Sequence, residues 1–83
     1  MRVILVYEVY DDTKDLYANI YKRNLIGVAS NYPAATAIIV ERREQRKETY
    51  PDENWVQTSA YEYINELGAK LSYTVDEREV RED

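Results

Sequence analysis

Carboxylates, arginines and tyrosines carry whatever chemistry this chain can do, because its 83 residues include no histidine and no cysteine. It therefore lacks the side chain most used for proton transfer near neutral pH, the strongest biological nucleophile and the common zinc ligands. Catalysis by carboxylates alone, or a magnesium site, needs Asp or Glu converging in a pocket. The nearest cluster, Asp11, Asp12 and Asp15, lies in a polar connection and reads as a solvated turn. It lacks the alternating oxygen ligands, central glycine and terminal bidentate glutamate of a calcium loop. The two glycines, Gly27 and Gly68, stand 41 residues apart, so there is no glycine-rich phosphate loop. The expectation is a protein that is not an enzyme and takes no cofactor or metal.

Two groups of residues remain that point to binding. Arg42, Arg43, Arg46 and Lys47, joined by Lys22 and Arg23, form a basic set able to contact phosphates. Glu41, Glu44 and Glu48 interleave with them at helical spacing, which describes a solvated, internally paired helix end. The second group comes from the nine tyrosines, in a chain without phenylalanine. Each buried hydroxyl needs a partner, so several tyrosines must reach the surface. Glu53, Trp55, Tyr61, Glu62, Tyr63 and Glu66 then read either as an acidic, aromatic contact surface or as core and rim with tyrosine in place of phenylalanine.

The elements that must position these residues begin with Met1 to Tyr10, rich in β-formers and apolar on both faces of a strand. A domain this small struggles to cover both faces, so one is left for helices and the other for a partner or for water. A second strand is expected over Ile20 to Ala29, where Gly27 suggests a bulge or the close approach of another element. Ser30 or Asn31 caps a helix with Pro33 in its first turn, and the helix runs to about Lys47, its last turns projecting beyond the core.

A second helix is expected from Asp52 to Leu67. Thr49 and Asp52 have capping-box spacing, or Asp52 itself caps; Val56, Ala60, Tyr63 or Ile64, and Leu67 recur at helical intervals, and Gly68 closes it. Leu71 to Asp76 alternates cleanly as a last strand. The order ββααβ predicts an α+β two-layer sandwich, a three-stranded sheet with two helices on one face. Its first strand is central and the last runs parallel to it, with a 1-2-3 meander as the alternative. Residues 1 to 80 form one domain and 81 to 83 a frayed acidic tail.

The net charge of −5 is uneven: +2 over residues 1 to 47 and −7 over residues 48 to 83. An acidic second half disfavours nonspecific attraction to phosphate and favours a basic protein surface. No run approaches the roughly 18 apolar residues of a membrane span, and the lack of cysteine fits a cytoplasmic location.

Tyr7-Glu8-Val9-Tyr10, Leu25-Ile26-Gly27-Val28-Ala29-Ser30, the alanine-bearing helix after it and the acidic strand from Leu71 to Val80 follow one another in order. In this the chain resembles small phage and bacterial accessory domains with a first strand, an "(L/I)-I-G-V-x-S" strand, an Ala-rich helix and an acidic last strand. The resemblance implies a mobile-element origin and an accessory role, such as inhibition of host defence in the manner of anti-CRISPR proteins.

The expected function is a noncatalytic protein-binding module that occupies the surface of a host or viral partner, or pairs with itself as a homodimer. Glu53, Trp55, Tyr61, Glu62, Tyr63 and Glu66 are its expected contacts. The alternative is a nucleic-acid-binding accessory protein using Arg42, Arg43, Arg46 and Lys47, with tyrosines stacking on unpaired bases.

Overall fold

The computed structural model describes residues 1–12, 20–65 and 68–81. It contains β1 (Arg2–Asp12), β2 (Ile20–Ala29), α1 (Tyr32–Thr49), β3 (Val56–Ser59), β4 (Glu62–Ile64) and β5 (Lys70–Glu79). The five strands form one sheet in the order β2-β1-β5-β4-β3, with every neighbouring pair antiparallel. The helix lies on one face.

β1 is an interior strand flanked by β2 and the last strand, but the middle strand of the five is β5, not β1, and it runs antiparallel to β1. The expected three-stranded ββααβ sandwich is thereby corrected: there are five strands and one helix among the described residues. The segment expected to be the second helix instead holds the β3–β4 hairpin and part of the turn into β5. Val56, Thr58, Tyr61, Tyr63 and Ile64 are β-branched or aromatic residues that lose side-chain freedom in a helix and fit a pleated surface. In the sheet, Tyr63 pairs opposite Leu71 and is buried, whereas Glu62 and Ile64 point to the other face. The hairpin also covers the edge that the start of β5 would otherwise leave bare.

α1 starts where the sequence indicates. Asn31 is the N-cap, its Oδ1 accepting from the Ala34 amide at 2.8 Å, and Pro33 sits in the first turn. Its eighteen residues span about 27 Å. That length carries the chain across the sheet from β2 at one edge to β3 at the other. Ala35 and Ile39 are buried against Ile4, Val6, Ala29, Leu71, Tyr63 and Tyr73, which together form the core.

Two features of β2 let the helix settle this closely. A Cβ on Gly27 would lie 2.9 Å from both Cδ1 and Cγ2 of Ile38, so only glycine fits beneath that side chain. A bulge at Ile26 shifts the pairing from Val6–Gly27 to Tyr7–Leu25. Ile26 packs against the core on the helix side, and Leu25 is thrown to the opposite face beside Tyr7.

Gly68 does adopt the left-handed conformation, φ 86°, but it serves a strand connection and not a helix end. The Asn65 amide donates to the Ala69 carbonyl, and the Asn65 Oδ1 accepts from the Ala69 amide at 2.9 Å. At the other end of β5, the Val80 amide donates to the Met1 carbonyl at 2.7 Å, extending the β1–β5 pairing.

Candidate functional site

Glu8 stands in the middle of β1 with the same parity as Ile4 and Val6, so its carboxylate is carried under the helix and is 3% exposed. A carboxylate taken out of water must be paired. The helix face that buries Ala35 and Ile39 continues as Arg42 and Arg46, at spacings of three and four residues, and both arginines reach Glu8. Arg42 binds it through Nε and Nη2 at 3.0 and 3.1 Å, Arg46 through Nη1 at 3.5 Å, and the Tyr73 hydroxyl donates to Oε2 at 3.0 Å.

Hydrogen bonding to Glu8 raises the Arg42 guanidinium above its ordinary value. Burial, then the Glu8 charge, holds the Tyr73 phenol far above its own. The last turns of α1 are therefore not the projecting, internally paired helix end expected from sequence. They are drawn onto the sheet.

Arg46 extends this network to residues 50–55. Its Nε lies 3.4 Å from Glu53 Oε2, which also accepts from Trp55 Nε1, and its guanidinium lies 5.3–5.9 Å from the ring centroids of Tyr10, Tyr50 and Trp55. Tyr10 meets Trp55 edge to face at 6.3 Å. The Tyr10 phenol is raised by burial and by the nearby charges of Asp12 and Glu53.

The expected contact residues do not share one face. Trp55 is half-buried over the core and Tyr63 is buried within it, while Tyr61 is exposed in the β3–β4 turn and Glu62 faces away from the helix. Glu53 is tied to Arg46 and Trp55, and Glu66 lies outside the described residues. Of the basic set, Arg42 and Arg46 point inward to Glu8, Arg43 lies over the Tyr63 ring, and Lys47 is exposed. No group of three or more carboxylates among the described residues is arranged to hold a metal ion.

The opposite face of the sheet has no helix among the described residues. Val3, Leu5, Tyr7 and Val9 of β1 point to it, and the register sets Val28 across from Leu5 and Leu25 across from Tyr7. Leu25 and Val28 are each 54% exposed, and Tyr21, farther along β2 on the same face, is 59% exposed. The Arg23 guanidinium lies 3.8 Å from the centroid of the Tyr7 ring. Beside this two-strand apolar stripe, β5 presents Ser72, Thr74, Asp76 and Arg78 to the same side, with Arg78 paired to Asp76 at 2.9 Å. The face is thus half apolar and half polar, as docking surfaces are.

Sequence reasoning identified the doubly apolar β1 but missed Glu8. The available signal was a lone carboxylate at a core-parity position of an apolar strand, together with arginines four residues apart on the next helix.

No helix among the described residues is long and apolar enough to cross a membrane. No family model matches the chain, and neither does any curated protein or solved structure.

Proposed function

We propose that the protein is a noncatalytic protein-binding module that acts by occupying the surface of a host or viral protein, and that it docks through the helix-free face of its sheet. One observation carries this reading: Tyr21, Leu25 and Val28 of β2 lie exposed on that face beside the half-buried Val3, Leu5 and Tyr7 of β1, and the one helix among the described residues covers the other side. Covering three or four such side chains at roughly 1.5–3 kcal/mol each gives on the order of 5–10 kcal/mol before association costs. Arg23 and the Asp76–Arg78 pair at the borders would give the contact its orientation. Inhibition of host defence in the cytoplasm is the role that the resemblance to phage accessory domains suggests for such a module.

A homodimer is the second reading, favoured by the free side of β2. This ten-residue strand ends the sheet and has β1 as its one neighbour among the described residues. The nucleic-acid reading has weaker support, since Arg42 and Arg46 are engaged by Glu8.

The test is comparative affinity capture with the wild-type chain and with Leu25→Glu/Val28→Glu, alongside light scattering against the 9.8 kDa monomer mass. A protein enriched by the wild type and lost with the variant supports the proposal. A stable dimer that the variant splits supports the second reading. Identical capture by both chains, each monomeric, rejects the open face as the docking surface.

A further inference from the structure

On the helix side of the sheet, away from the open face, a cavity of about 210 Å3 lies where the last turns of α1 meet residues 50–57, β4 and β5. Tyr50, Trp55 and Tyr63 give it aromatic walls and Leu71 adds an apolar surface. Arg43 and Lys47, four residues apart and so stacked along one side of the helix, line it with two cations.

The charge of its lining distinguishes this cavity from a packing gap. Arg42 and Arg46 each hold a carboxylate, yet neither Arg43 nor Lys47 is in an ion pair among the described residues. Arg43 rests instead against the face of the Tyr63 ring, 4.6 Å from its centroid.

Both charges left without an ion pair in the lining are cations. The one carboxylate in the lining, Glu53, is already engaged by Arg46 and by the Trp55 indole. What the cavity lacks is an acceptor with negative charge, and what its walls favour is a flat apolar body. The volume lies below the roughly 300 Å3 at which pockets begin to take drug-sized molecules, which restricts the occupant to one ring. The geometry points to a binding site for a single-ring aromatic carboxylate, its acid group received by Arg43 and Lys47 and its ring held among Tyr50, Trp55 and Tyr63. The same chemistry is offered by a free aromatic acid and by the terminal aromatic residue of a peptide.

Trp55 is the chain's one tryptophan, so its fluorescence reports on this wall alone. The full chain is titrated with phenylacetate, with N-acetylphenylalanine as the peptide-terminus mimic, and with phenylacetamide as the neutral control. A saturable change with either acid, weakened about tenfold or more for the amide and in Arg43→Gln/Lys47→Gln, supports the site. The tighter of the two acids identifies the source.

The absence of saturation by both acids up to about 10 mM would overturn the inference. So would amide binding as tight as acid binding, a comparison on wild-type protein that does not depend on any variant folding.

Discussion

Arg42 grips Glu8 with two hydrogen bonds, Nε to Oε2 at 3.0 Å and Nη2 to Oε1 at 3.1 Å, and so fastens the second half of the helix to the interior strand β1. The first half of the helix is held by apolar packing of Ala35 and Ile39. The second half has no comparable apolar residues to bury and is held by charge.

Glu8→Ala removes the carboxylate and leaves both arginines facing the sheet. Breaking a buried pair from one side costs about 3–5 kcal/mol. Because the Arg42 side chain is 39% exposed and can rehydrate, the expected loss is nearer about 2–3 kcal/mol. Urea denaturation followed by circular dichroism measures it, and a midpoint unchanged from wild type would show that the pair contributes nothing net.

The raised phenol of Tyr73 makes the fold sensitive to alkali. Its folded pKa lies above the unfolded value of about 10, so the neutral form is the one favoured by folding. The stabilisation is fully present below pH about 10 and is lost as pH rises toward the folded pKa, because only the unfolded chain releases the proton in that window. Burial is the main cause, followed by the charge of Glu8. Thermal melts between pH 8 and 12 should fall steeply above pH 10. Tyr73→Phe should lower stability at neutral pH by about 1.5–3 kcal/mol through loss of a hydrogen bond to a charged group, and flatten the alkaline decline.

Gly27→Ala places a methyl 2.9 Å from two carbons of Ile38, one of them the Cγ2 branch, which cannot swing aside without a rotamer change. Overpacking of this kind costs about 1–3 kcal/mol. Combining it with Ile38→Ala should cost less than the two single changes added together, which a double-mutant cycle of melting curves reads directly. Strict additivity would mean that the two residues do not touch.

The local signals in the chain were readable where one physical cause acts alone. Asn31 and Pro33 mark a helix start whatever surrounds them, β2 keeps the bounds its composition suggests, and Gly27 announces a close approach. Residues 52–67 misled because Val56, Ala60, Ile64 and Leu67 fall at helical spacing while their neighbours are β-formers. The pairing partner lies just downstream, with Ile64 opposite Lys70 and Tyr63 opposite Leu71, so the strand signal was local but was masked by the helical spacing.

Gly68 was ambiguous for a similar reason, since a positive φ closes a helix or a strand connection equally well. The arginines of α1 looked solvated because their glutamate neighbours at helical spacing are near in sequence. Glu8, which lies 34 residues from Arg42, captured them instead. The scattering of Glu53, Trp55, Tyr61, Glu62 and Tyr63 follows from the same missed hairpin, which sends alternate residues to opposite faces.

Hydroxyl-radical footprinting of the protein, alone and bound to whatever it captures, tests the docking surface most directly. Tyr7, Tyr21 and Leu25 should be oxidised in the isolated chain and protected several-fold in the complex, with Tyr50 unchanged. Protection confined to Tyr50, Trp55 or Tyr61, with the β1–β2 stripe still fully oxidised, would contradict it.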